Sequence, residues 1–84
     1  MRLKEMKPHV AYRITKGNSD GGLQVGDIVS LATSPKMLVA WIGYSSGAYD
    51  EKDLSDSTIS DFECEVANDY VICISNYRLS CRKR

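Results

Sequence analysis

Short runs of alternating apolar and polar residues recur along the chain, which is the pattern of half-buried β-strands. The first run covers residues 9–16, and the second covers residues 27–32, after a Gly-Asp turn that tucks Leu23 and Val25 under the sheet. A third run, residues 37–42, is apolar at both alternating sets of positions. We therefore expect this third strand to be central in its sheet, or covered on both faces.

The second half of the chain predicts a further strand and a hairpin. The alternation in residues 62–67 is the cleanest in the sequence, and its inward positions are Phe62, Cys64 and Val66. Residues 70–75 and 77–83 predict two strands joined by a two-residue loop at Asn76-Tyr77. In that register the facing apolar pairs are Ile74 with Leu79 and Ile72 with Cys81.

Loops separate these runs. Residues 17–22 (GNSDGG) and the turn at residues 34–36 are rich in Gly, Asn, Asp, Ser or Pro. Residues 43–61 begin as a Gly/Ser/Tyr loop and then become acidic, with Asp50 as the N-cap of one helical turn that ends near Leu54. Because Ser, Asp and Thr compete for backbone hydrogen bonds, we expect the rest of this stretch to be mostly loop.

Five to six short strands with at most one helical turn predict a mainly β fold, a small antiparallel barrel. The segment LQVGDIVSLAT, residues 23–33, resembles the hydrophobic-x-Val-Gly-Asp-hydrophobic-Val lead-in to a strand that is found in SH3-like small barrels. The resemblance implies an SH3-like geometry. It does not imply binding of proline-rich peptides, since the acidic loop and groove aromatics of the eukaryotic signalling domains are not in their expected order.

Length and composition indicate one domain covering residues 1–84, with residues 1–8 and 82–84 expected to fray. An apolar fraction of 43% with 26% charged residues is ordinary for a globular protein. No stretch approaches the roughly twenty apolar residues of a membrane span, and the first ten residues lack the apolar core of a signal peptide. We therefore expect a soluble, cytoplasmic protein of the compact kind common in phages and mobile elements.

Charge is segregated along the chain although the formal net charge is zero. Eight of the eleven Asp and Glu residues lie between Asp50 and Asp69, whereas the basic residues gather at the two ends. Such a distribution predicts a molecule with one acidic and one basic side. The three cysteines, Cys64, Cys73 and Cys81, match neither a disulfide framework nor a zinc motif, and we expect free thiols.

No motif predicts catalysis, a metal or a cofactor. His9 is the only histidine, and no Ser or Cys is linked to it by spacing. The carboxylates of residues 50–65 do not have the spacing of a calcium-binding loop. The Gly/Ser-rich residues 43–49 lack the following Lys-Ser/Thr of a phosphate-binding loop. We expect a protein that is not an enzyme.

Two binding functions remain. The first is a protein-interaction module, a monomer or a homodimer, whose partner contacts aromatic residues near the acidic stretch: Trp41, Tyr44 and Tyr49. Trp41 is also the expected core anchor. The alternative is nucleic-acid binding through basic residues near the ends of the chain: Arg13, Lys16, Arg78 and Arg82. Zero net charge weighs against this alternative.

Overall fold

A computed structural model describes residues 1–42 and 45–84, with side-chain environments for 1–41 and 46–84. The described residues form seven strands: β1 (Tyr12–Lys16), β2 (Ile28–Thr33), β3 (Lys36–Ile42), β4 (Ser45–Asp50), β5 (Glu63–Val66), β6 (Tyr70–Ser75) and β7 (Arg78–Lys83). The helical elements are a 3₁₀ turn at Leu3–Glu5, α1 (Glu51–Leu54) and α2 (Ser57–Ser60). The prediction of a mainly β protein with antiparallel strands is confirmed.

The strands form two antiparallel sheets. One has five strands in the order β4-β3-β2-β1-β5, and the other is the β6-β7 hairpin. Within the described residues, β4 and β5 are not paired with each other, so the strand pairings do not close the barrel that the sequence predicts. The strand of residues 36–42 is next to the middle of the sheet, and β2 is the central strand.

The first face of the five-stranded sheet carries the main core. Alternation places Tyr12, Ile14 and Leu38 on this face, because successive side chains of a strand point to opposite sides. The core is completed by Leu23, by Phe62 and by residues from the N-terminal segment and the two short helices: Met6, Leu54 and, partly buried, Leu3 and Ile59. The acidic helical segment therefore covers the first face.

The hairpin packs on the second face. Ala11, Ile28 and Ala67 are buried there, and partly buried residues of the hairpin and β3 pack against them: Trp41, Tyr70, Ile72 and Cys81. The expected registers of the hairpin, Ile72 with Cys81 and Ile74 with Leu79, are confirmed. All three cysteines are free, as expected.

Two valines expected in the core are exposed. Val25, with 70% of its surface exposed, precedes Gly26, where a φ of 97° reverses the chain so that only Leu23 reaches the core. Val66 is 45% exposed because it lies at the end of an edge strand, and the residue after it, Ala67, is buried instead. Phe62 and Cys64 are fully buried, as predicted.

The prediction of a loop at residues 43–49 is wrong for the part that the structure describes. Residues 45–50 form β4, which pairs with β3 from Ser45 opposite Ile42 to Asp50 opposite Met37. Strand propensity is low in SSGAYD, but pairing with an apolar neighbour overrides it. Gly43 and Tyr44 lie outside the described residues.

Two side-chain caps shape the acidic stretch. The predicted cap is confirmed: a carboxylate oxygen of Asp50 accepts the amide of Asp53 at 2.8 Å, which starts α1. The second cap was not predicted. Asp56 accepts the amide of Thr58 at 2.9 Å and starts α2, so the stretch is two helical turns broken at Ser55 rather than mostly loop.

Residues at both chain ends make defined contacts, and the fraying expected at residues 1–8 and 82–84 stays a prediction. Met6 is buried in the main core, and the Met1 ammonium donates to the Cys64 carbonyl at 2.7 Å. At the other end, Arg82 pairs with Val71 inside the hairpin ladder. At the N-terminal end the contacts are apolar, since Met6 and Leu3 help to cover the first face of the small sheet.

Gly17→Ala is expected to lower the free energy of unfolding by about 1–3 kcal/mol, the usual cost of forcing atoms into a packed site. A Cβ at Gly17 would lie 2.5 Å from the backbone oxygen of Leu23, which cannot move without displacing a core residue. Gly47→Ala is the matched control, because its Cβ would meet nothing within 4 Å. Urea denaturation of both variants measures the difference, and equal stability would contradict the expected clash.

Candidate protein-binding groove

The hairpin covers only part of the second face of the sheet. At its base, Tyr70, Ile72 and Cys81 pack against the sheet. Towards its tip the hairpin is open to solvent: Ile74, on the same face, is 56% exposed, and Tyr77, in the turn, is 101% exposed. Apolar surface on the inner side of a hairpin is normally buried, so the tip leaves a gap between the two sheets.

This gap is a groove of about 480 Å³, here called the hairpin-tip groove. Apolar residues of β2, β3 and β4 line one side: Ala32, Met37, Val39 and Ala48. The hairpin lines the other side with Tyr77, Arg78 and Leu79. A smaller cavity of about 170 Å³ shares Tyr77 and Leu79 with it and extends the opening to Ile74 and His9. The surface of the hairpin-tip groove is mixed, since Ser34, Ser46 and Arg78 line it together with the apolar residues.

The register of β3 explains why the groove is apolar. Met37, Val39 and Trp41 alternate on the second face, and Trp41 lies opposite Ile28, where the base of the hairpin covers it. Val39 lies opposite Ala48 on β4, a residue too small to fill the space above it. The sequence pattern that predicted coverage on both faces of β3 is thus satisfied at only one end of the strand.

The turn at the hairpin tip holds Tyr77 in an unfavourable backbone conformation. Asn76 and Tyr77 have φ values of 50° and 61°, as a two-residue turn of type I′ requires. Asn tolerates this left-handed region, whereas Gly is preferred at the second position because a side chain there costs about 1–2 kcal/mol. Tyr77 therefore weakens the turn and projects an aromatic ring into solvent, a combination typical of residues kept for contact with a ligand.

Charge on the hairpin side of the groove is positive. Residues 70–84 contain four basic residues and no Asp or Glu. Arg78 lines the groove and has no ion pair within the described part of the chain. At the base of the hairpin, Arg13 donates to both carboxylate oxygens of Asp69 at 2.7 and 2.6 Å, which lowers the pKa of Asp69. On the hairpin, Arg78 therefore stays available to a partner.

The structure separates the predicted aromatic site residues. Trp41 is half-buried on the second face, whereas Tyr49 lies opposite Leu38 and packs against the core of the first face. Tyr44 lies outside the described residues. Trp41 and Tyr49 thus do not form one surface. The prediction missed the residues that do line an open groove, above all Met37, Ile74 and Tyr77.

The basic residues of the nucleic-acid alternative are also dispersed. Arg13 is engaged by Asp69, and the Lys16 ammonium lies 3.9 Å from a carboxylate oxygen of Glu63. Arg78 and Arg82 occupy alternate positions of β7, on the side of the strand opposite to Leu79 and Cys81, and Arg78, next to the turn, also lines the hairpin-tip groove. Only these two of the four predicted residues share a surface.

The side chains considered for catalysis or metal binding do not come together in one site. His9 is exposed, with a φ of 62°, and its amide donates to the Leu31 carbonyl at 3.0 Å. Burial raises the pKa of the Cys64 and Cys81 thiols, which keeps them protonated and weakly nucleophilic. Within residues 1–42 and 45–84, no three His, Cys, Asp or Glu side chains are grouped so that they could hold a metal ion.

None of the helices in the described chain has the length and apolar character needed to cross a membrane. Comparisons with protein-family models, with curated proteins and with solved structures found no match for this chain.

Proposed function

We propose that this protein is a non-enzymatic interaction module that binds a partner protein in the hairpin-tip groove. The observation that carries the proposal is the exposure of Ile74 and Tyr77 beside a groove lined by Met37 and Val39. Aromatic and apolar anchors that meet a concave surface supply most of the free energy in protein interfaces. A partner side chain seated between β3 and the hairpin tip would bury both.

We also propose that the fold is related to SH3-like barrels. Support comes from residues 23–33, in which the glycine turn at Gly26 leads directly into β2, as the resemblance implies. A five-stranded antiparallel sheet covered by a hairpin is compatible with a partly open barrel. An experimental structure of a relative with the same topology, in which β4 pairs with β5, would strengthen this part of the proposal.

Selection from a displayed library of random peptides tests the binding function. We expect enriched peptides to bind with dissociation constants of about 1–100 µM, typical of a short peptide in a small groove. Met37→Arg places a charge on the groove floor and should weaken the binding of these peptides by about tenfold or more. Val25→Arg is the control, because Val25 is exposed and does not line the groove.

Circular dichroism confirms that both variants are folded before binding is compared. Peptides that bind the Met37→Arg variant as tightly as the parent would contradict the proposed groove, and so would a library in which no sequence is enriched.

Nucleic-acid binding remains the second candidate. It is supported by the hairpin, because residues 70–84 contain no Asp or Glu. Arg78, Ser80 and Arg82 alternate on the outer face of a two-stranded ribbon, an element that fits the major groove of DNA. Binding to a labelled duplex should then fall steeply as salt rises, and Arg82→Glu should abolish it. Absence of duplex binding at low salt would remove this candidate.

A further inference from the structure

The two edges of the five-stranded sheet differ. At the β5 edge, Cys64 exchanges two backbone hydrogen bonds with Met1, with N–O distances of 2.7 and 2.8 Å. Glu63 and Glu65 add charge to that edge. Covering and charge are the usual protections of an edge strand against further pairing. At the other edge, no strand of the described chain lies beyond β4.

The β4 edge offers hydrogen-bonding groups to a further strand. The amide of Asp50 is donated to the Asp53 side chain at 3.1 Å and not to β3. Residues two apart in an antiparallel strand direct their backbone groups to the same side, so Ser46 and Ala48 present N–H and C=O groups at the edge. The side chains of Ser46 and Ala48 are small and exposed, and they lie at the rim of the hairpin-tip groove.

We propose that an extended peptide with alternating apolar residues and an acidic residue at one end binds as an additional strand along β4. This inference rests on the proposed function and specifies how the partner lies in the groove. Backbone hydrogen bonds to Ser46 and Ala48 hold the peptide, and every second side chain enters the space above Val39. Six residues of β4 span about 20 Å, which gives room for about three inward side chains.

Charge identifies the partner as acidic. Arg78 is the charged residue that lines the groove, whereas the carboxylate of Asp50 stands at one end of the β4 edge, opposite Met37. A carboxylate at the end of the added strand can pair with Arg78, whose neighbours in residues 70–84 include no acid. Attraction of this kind selects an acidic segment and disfavours a basic one.

A second copy of this chain is a poorer occupant. If β4 of one molecule paired with β4 of another, the residues brought towards the groove would be Ser46, Ala48 and Asp50. Their side chains are too small to fill a groove of about 480 Å³ with apolar surface. A separate peptide with Ile or Leu at alternate positions fills it.

The experiment uses one designed probe, a fluorescent peptide with three isoleucines alternating with threonines and an aspartate at one end. Two N-methylated versions carry methyl groups on alternate amides, one on the isoleucine set and one on the threonine set. In an added strand only one set of amides faces β4. We therefore expect one version to bind at least about tenfold more weakly than the parent peptide in fluorescence anisotropy, and the other to bind like the parent.

A protein variant tests the same hydrogen bonds from the other side. Ala48→Pro removes the edge amide, and proline is tolerated on an edge strand where the N–H points to solvent. It should lose binding by about tenfold, whereas Val25→Arg, a change at an exposed residue outside the groove, should not. The methylated peptides need no change in the protein, so they decide the question even if the proline variant fails to fold.

The outcomes separate the two proposals. Loss with Met37→Arg and with one methylated peptide supports strand addition in the groove. Loss with Met37→Arg but equal binding of both methylated peptides leaves the groove as a binding site and overturns strand addition. Binding that is insensitive to Met37→Arg overturns the groove itself.

A probe that does not bind, together with a concentration-dependent dimer that Ala48→Pro abolishes in sedimentation, would assign the edge to a second copy. If the protein is monomeric and does not bind the probe, strand addition is overturned. If the probe binds and duplex DNA displaces it, the surface is assigned to nucleic acid.

Discussion

Phe62→Ala is expected to lower the free energy of unfolding by about 3–5 kcal/mol. The ring is fully buried in the main core, and its removal leaves a cavity that the surrounding sheet and helices cannot close. Domains of this size are stable by only about 5–15 kcal/mol, so much of the native stability is lost. Urea denaturation followed by tryptophan fluorescence of Trp41 measures the change.

Val66→Ala is the matched control for this prediction. Sequence alternation places Phe62 and Val66 on the same inward face, but Val66 is 45% exposed. We expect its truncation to cost less than about 1 kcal/mol, because most of the removed surface is already in contact with water. Equal losses for the two variants would contradict the structure at β5 and favour the simple alternation.

Tyr77→Gly is expected to raise the free energy of unfolding by about 1 kcal/mol and to weaken binding of groove peptides by about tenfold. Glycine relieves the left-handed backbone at φ 61°, and the ring that is removed is 101% exposed, so no packing is lost. The same ring stands at the mouth of the groove. Stability and binding should therefore change in opposite directions, as is common where a strained residue serves a ligand.

Asn76→Gly separates backbone relief from loss of the ring. Asparagine already tolerates a φ of 50°, so the gain in stability should be smaller and peptide binding should be unchanged. Thermal denaturation and anisotropy measured on both variants give the comparison. A Tyr77→Gly variant that is destabilised would show that the ring supports the turn, and unchanged binding would remove Tyr77 from the proposed site.

The prediction of the hairpin succeeded because local chemistry determines it. Two alternating runs separated by two residues allow one register that keeps Ile72, Ile74, Leu79 and Cys81 on one face. The cap at Asp50 is local in the same sense, since the carboxylate and the amide it accepts are three residues apart. β4 was missed because its residues have little strand preference of their own, and only the long register with β3 makes them a strand.

The candidate site was only partly predictable. Exposed aromatic residues near β3 were a reasonable first choice, but Trp41 and Tyr49 are on adjacent strands with opposite orientation. Once residues 45–50 pair with β3, Tyr49 must face the main core, because it lies opposite Leu38. One signal for Tyr77 was available in the sequence: a large aromatic residue at the turn position that glycine favours.

The sequence by itself determined the short strands other than β4, the hairpin register and the cap of the first helix, because each depends on residues close together in the chain. Only the tertiary structure decided which sheet face receives the helices and which receives the hairpin, and how far the hairpin reaches along β3. The groove exists because the hairpin covers Trp41 and stops short of Met37 and Val39. That distance depends on how two sheets pack, and no local pattern encodes it.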